Sequence, residues 1–220
     1  MLKRLTIVAL PVLVAGLLPL GPQPFAACPM DTLIVCDVNV TSNAPSYLVL
    51  GCVFNSSAAA YDLTLGQLSA GANAGSADVT VITRDIYRII GPASSLPVSL
   101  SAQLAIHAGL FSTGYVMAEI RSSDGVQAAQ LGPCGCGLFG ANFSLTLVLP
   151  LTRAVGEPFD LTLKVQSVSP LTRVASHAQG TGNLAFLLPS GYSVTSCQGY
   201  SSTPTSTRVT SWGKLKTLYR

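Results

Sequence analysis

Side chains able to do acid–base or nucleophilic chemistry are few in this 220-residue chain. Histidine titrates near neutrality, and the chain has two, His107 and His177. General acid–base work needs such a group held against a partner. His107 follows an alternating segment and falls in its outward phase, the reading of a surface residue. His177 sits in Ala175-Ser176-His177-Ala178 with no carboxylate beside it. A serine–histidine–acid set can assemble from distant positions. No Gly-x-Ser-x-Gly elbow, phosphate loop, His-Glu-x-x-His or EF-hand pattern occurs, however. The seven aspartates are Asp31, Asp37, Asp62, Asp78, Asp85, Asp124 and Asp160, and two glutamates join them. Glycoside hydrolysis needs two carboxylates facing one bond. Spacing selects no such pair, and the aspartates sit where turn residues are expected. No catalytic residue, cofactor or metal ligand is therefore assigned.

Cysteine chemistry is more informative. Cys134-Gly135-Cys136 has two of the six cysteines one residue apart, whereas zinc sites more often space them by about two to four. In an exported chain, disulfides are the stronger reading. One pairing follows from a register. The segments Leu33–Val40 and Tyr47–Phe54 flank Thr41–Ser46, which suits a turn. A hairpin centred on Ala44 sets Ile34 against Phe54, Val38 against Leu50 and Val40 against Leu48, and places Cys36 opposite Cys52. Opposed Cβ atoms lie roughly 4.5–5.5 Å apart, and a disulfide needs about 3.8 Å. Cys36–Cys52 is thus expected. Cys28, Cys134, Cys136 and Cys197 are expected to pair among themselves, Cys134 and Cys136 each taking a separate partner.

Binding chemistry has weaker markers. Tyr47, Tyr61, Tyr115, Tyr192, Tyr200 and Trp212 are the aromatic candidates for a sugar-stacking face, though most strand tyrosines are packing residues. Asn39, Asn55 and Asn142 match the N-glycosylation pattern, which matters only in a glycosylating host.

The elements that must position these groups are strands. Only 10% of residues are charged and 49% are hydrophobic, with 20 Gly and 14 Pro. That composition excludes disorder and argues against a helical bundle. Val98, Leu100, Ala102, Leu104 and Ile106 alternate with polar residues. So do Phe143, Leu145, Leu147 and Leu149, and Leu161, Leu163 and Val165. Such runs bury one face and wet the other. Further strands are expected at Tyr61–Leu68, Ala77–Arg84, Tyr115–Arg121, Gly125–Leu131 and Gly182–Leu188. Ala70–Ala77 suits a loop. Arg84–Ile90 is ambiguous, since Ile86, Ile89 and Ile90 have helical spacing. The expected fold is all-β, a two-sheet antiparallel sandwich of jelly-roll type.

The first 27 residues have the form of a secretory signal peptide. Lys3 and Arg4 precede the apolar run Leu5–Leu20, and small residues follow before Cys28. Phe25-Ala26-Ala27-Cys28 also approaches a lipobox, with lipidation of Cys28 as the alternative. The sandwich is expected over residues 28–200 and a flexible basic tail over 201–220. Net charge is +3, too small to indicate nucleic acid. Without Lys3 and Arg4, ten basic residues face nine acidic ones. Four of the ten, Arg208, Lys214, Lys216 and Arg220, lie in the tail. Trp212, Leu215, Leu218 and Tyr219 have the spacing of a short one-sided helix, and the tail is expected to be dispensable for folding.

The segment Val174–Gly199 carries a resemblance. Thr181, Leu184, Phe186, Pro189, Gly191, Val194, Ser196 and Gly199, with Cys197 near a usual serine, fill the pattern of the closing strand pair in PEP-CTERM proteins. These are the exported bacterial substrates of exosortase. Ala77–Pro92 and Leu96–Arg121 look like the same group's central strands. The resemblance implies a secreted β-sandwich and supplies no catalytic residue. That group ends in Pro-Glu-Pro, an apolar span and a basic tail, whereas Ser211–Arg220 has no apolar span, so its anchoring does not carry over. The functional expectation is a secreted, non-enzymatic surface, matrix or binding module. Its partner would be a carbohydrate or another surface protein. The alternatives are a secreted hydrolase with dispersed residues and a lectin-like protein.

Overall fold

A computed structural model describes residues 28–36, 38–51, 57–73, 77–133, 140–170 and 176–202. Thirteen strands and no helix occur among them. In chain order they are β1 (Asp31–Val35), β2 (Val38–Ser42), β3 (Ser46–Gly51), β4 (Ser57–Asp62), β5 (Gln67–Asn73), β6 (Ala77–Ile90) and β7 (Val98–Phe111). Then come β8 (Tyr115–Ser122), β9 (Gly125–Leu131), β10 (Gly140–Arg153), β11 (Pro158–Ser169), β12 (His177–Leu187) and β13 (Ser193–Ser196). A seven-stranded sheet has the order β2-β1-β6-β11-β8-β9, with β13 also paired to β6; a six-stranded sheet has the order β10-β7-β12-β5-β4-β3. The ladders are antiparallel, and the two sheets pack into a β-sandwich.

The period-two alternation is the cause of this architecture. Val98, Leu100, Ala102, Leu104 and Ile106 of β7 are buried, as are Leu161, Leu163 and Val165 of β11. On β10, Leu147 and Leu149 are buried, while Phe143 and Leu145 are partly so. Gly180 and Gly182 of β12 face the same core. A Cβ at Gly180 would stand 2.7 Å from Val116 Cγ1 and 3.0 Å from Val165 Cγ1, so the sheets pack here against a residue without a side chain. At one end of the core, Tyr87, Phe159, Phe186 and Tyr200 form an aromatic cluster with ring centres 5.3–6.3 Å apart.

Several expected elements are redrawn. Leu33–Val40 is a hairpin rather than one strand. Leu33 pairs with Val40 and Val35 with Val38, and the chain reverses at Cys36, whose φ is 54°. The register centred on Ala44 is therefore wrong. Its apolar matches were real but not unique, because the tighter turn also opposes apolar residues and closes a shorter loop. Ser42–Ser46 instead carries the chain from one sheet to the other, so β2 and β3 never pair. Tyr61–Leu68 likewise contains a turn, in which Thr64 and Leu65 donate to Asp62 Oδ1 and Gly66 takes φ 67°. The region expected as a loop from Ala70 continues as β5 through Asn73. The helical spacing of Ile86, Ile89 and Ile90 is overridden by pairing on both sides of β6.

One edge of β6 is shared. Val79–Ile82 pair with β1 and Tyr87–Ile90 with β13, leaving Thr83–Ile86 between the two ladders. Backbone groups in that gap still require partners. The Asp31 carboxylate accepts from Arg84 N at 2.8 Å, and Cys197 N donates to Ile86 O at 2.9 Å. The Gln198 amide donates to Pro29 O at 3.0 Å and to Arg84 O at 3.4 Å. Cys28 and Cys197 close the gap with a disulfide. Cys28 is thus not the separate partner expected for Cys134 or Cys136. A sulfur used in this bond cannot also carry a thioether lipid. Cys36 is disulfide-bonded too. Cys52, Cys134, Cys136 and the tail beyond Ser202 lie outside the described residues.

Candidate functional site

The outer face of the seven-stranded sheet carries Asp78, Arg84, Arg88, Glu119, Arg121, Asp160 and Lys164. Even-numbered residues of β6 and β11 and odd-numbered residues of β8 point away from the core, because the inward phase is taken by the apolar series. Cross-strand pairing then fixes the rows. Arg84, Thr162 and Arg121 stand side by side on β6, β11 and β8, and the next row sets Ile82, Lys164 and Glu119 together. Arg121 Nε donates to Glu119 Oε1 at 2.8 Å. A groove of about 510 Å³ runs among Arg84, Arg121, Lys164, Glu119 and Asp160.

Two further concavities join it. Asp160 also lines a hollow of about 460 Å³ with Asp124, Arg153 and Glu157. There Arg153 Nη2 donates to Asp124 Oδ1 at 2.7 Å, and this bond holds the exposed Asp124 carboxyl below its usual range. At the other end, Glu119 and Lys164 are shared with a hollow of about 320 Å³ that includes Met117, Ala128 and Ala129. The three hollows share Asp160, Glu119 and Lys164 in their linings. Basic and acidic groups both line them, two of each being ion-paired. Such a surface offers many hydrogen bonds and little net field.

The residues considered for catalysis are not brought together. His107 is exposed on the outer face of the six-stranded sheet, as its phase implied, with Nδ1 2.9 Å from Ser144 Oγ. His177 begins β12 opposite Asn73 and Phe111. Among the described residues neither histidine hydrogen-bonds a carboxylate. Of the described aromatic candidates, Tyr61 and Tyr200 are core residues, Tyr115 and Tyr192 are half-buried, and Tyr47 is exposed. Trp212 and Asn55 lie outside the described residues, whereas Asn39 and Asn142 are exposed.

The carboxylate pair that spacing could not select is Asp31 and Asp85. Both are buried on the inner face around the β6 gap. Asp85 Oδ1 accepts from Ile86 N at 2.7 Å and from Gln198 N at 3.3 Å. Burial pushes the Asp31 carboxyl up to about 6, against the lowering effect of its Arg84 hydrogen bond. Burial raises Asp85 in the same direction. Neither lies in a cleft with a histidine. No group of three or more His, Cys, Asp or Glu able to hold a metal occurs among the described residues. No helix among them is long and apolar enough to cross a membrane. No protein family and no curated protein matches the chain in sequence.

Proposed function

We propose that the chain is an exported, non-enzymatic β-sandwich module of the cell surface or matrix, and that it binds an extended polar chain along the outer face of its seven-stranded sheet. The observation that carries this reading is the succession of three neighbouring hollows on one face, with Asp160, Glu119 and Lys164 shared between their linings. Extended ligands fit an open trough, whereas compact substrates fit enclosed pockets. Intermixed donors and acceptors of both signs suit a hydroxyl-rich oligosaccharide better than a polyanion. Export is supported by the basic start and apolar run before Cys28, by the Cys28–Cys197 disulfide, and by the resemblance to exosortase substrates.

A glycan array probed with the protein and with the Arg84→Ala/Lys164→Ala variant tests the binding reading. Binding to a subset of glycans that the variant loses supports it. A flat array, or binding that the variant retains in full, overturns it. Fusing residues 1–27 to a reporter tests export independently, and reporter retained inside the cell would sink that part.

A further inference from the structure

The inner side of the β6 gap collects oxygen atoms that the protein leaves without partners. Asp31 and Asp85 each use Oδ1 for backbone donors, and each leaves Oδ2 buried and unpaired. Thr83 Oγ1 and Gln198 Oε1 are also buried without a partner. Thr83 and Asp85 share the inward phase of β6. Thr83 is the next position along the ladder from Thr32↔Ile82, which brings it beside Asp31. Gln198 reaches across the gap, its backbone N–H donating to Asp85 and its side-chain amide to the carbonyls of Pro29 and Arg84. These four residues are all at least nine-tenths buried, Gln198 being the most exposed at 5%.

The imbalance is one of donors. Three of the four orphaned atoms only accept, and the Thr83 hydroxyl brings the single proton. No salt bridge reaches either carboxylate among the described residues. Two uncompensated buried carboxylates are costly. A cation would cancel both charges and supply the positive partner that these oxygens lack. The donor set contains no nitrogen and no sulfur, which excludes a preference for zinc or copper. Oxygen ligands in irregular geometry suit calcium, which accepts 6–8 of them flexibly, better than magnesium, which demands a near-ideal octahedron. We propose that Asp31, Thr83, Asp85 and Gln198 form a structural binding site for a hard cation of the calcium class, set beneath the Cys28–Cys197 disulfide.

The site should be readable with terbium, a calcium substitute. The Tyr61 hydroxyl lies against Asp31, so tyrosine excitation should yield terbium emission that calcium displaces. Calcium at about a hundredfold over Kd should raise the Tm by roughly 5 °C or more relative to chelated protein. Thr83→Val, which keeps the shape and removes one oxygen, should weaken calcium binding about tenfold. Asp85→Asn should abolish the calcium-dependent shift. If Asp85→Asn fails to fold, the Thr83→Val titration still decides. Equal Tm in calcium and chelator, emission that calcium cannot displace, or unchanged affinity in Thr83→Val would overturn the proposal and leave the pair neutralised by protons.

Discussion

Cys28 and Cys197 are 169 residues apart in sequence, and their Cα atoms stand 5.5 Å apart across a disulfide. The bond joins the residues just before β1 to the turn just after β13. Those two strands divide one edge of β6 between them, and the disulfide holds them to it from either side of the gap. Closing so long a loop removes much of the unfolded chain's freedom. Cys28→Ser/Cys197→Ser should therefore lower stability by about 2–5 kcal/mol. Urea denaturation of the variant and the parent measures this. An unchanged midpoint would show that the ladders alone hold both strands.

Cys36 should be joined to Cys52. The hairpin register that first suggested this is wrong, but the packing supplies a different reason. Tyr61 touches Asp31 across the sandwich, and Tyr61 pairs with Tyr47. In sequence, Cys36 lies five residues beyond Asp31 and Cys52 five beyond Tyr47. The strands β1 and β3 run toward the same end of the sandwich. Non-reduced peptide mapping should recover a Cys36–Cys52 fragment beside the Cys28–Cys197 one. A fragment joining Cys36 to Cys134 or Cys136 would refute the pairing.

Gly180→Ala should destabilise the fold. The added methyl would meet Val116 and Val165 well inside contact distance, and β-branched side chains have little rotamer freedom to yield. Overpacking of this kind costs about 1–3 kcal/mol. The Tm should fall by roughly 2–10 °C. Gly156→Ala, with no atom within 4 Å of its Cβ but φ at 81°, separates backbone strain from packing.

The Arg153–Asp124 pair should contribute a small acid-sensitive term. The Arg153 hydrogen bond depresses the Asp124 carboxyl in the folded state. Its stabilisation is therefore present above the unfolded value of about 3.9 and is lost as pH falls through the lower folded value. The carboxylate is exposed, so the effect should stay below about 1 kcal/mol. Melting curves of the protein and of Asp124→Asn, taken from pH 6 to pH 2, should differ most at pH 6 and converge at pH 2. A constant difference across that range would assign the effect to something other than ionisation.

The sequence by itself determined the class of the fold, because alternation is a local property. Val98 to Ile106 dictates which side of β7 faces inward, and hence that His107 faces out, whatever strand lies beside it. It also determined that Cys28 and Cys197 had to be considered for disulfides, but not that they bond each other. Register and pairing are non-local: apolar matches at Leu33/Val40 and at Val40/Leu48 look alike until the rest of the sheet is present to choose. Tyr61–Leu68 shows the same limit, since an apolar strand and a tight hairpin share its composition. The Asp31–Asp85 juxtaposition lay wholly beyond the sequence. It exists because β1 and β13 stop short of each other on β6, and because Gln198, 113 residues from Asp85, fills the gap they leave. Only the assembled ladders decide where that gap falls, and with it which two of nine carboxylates are drawn out of water together.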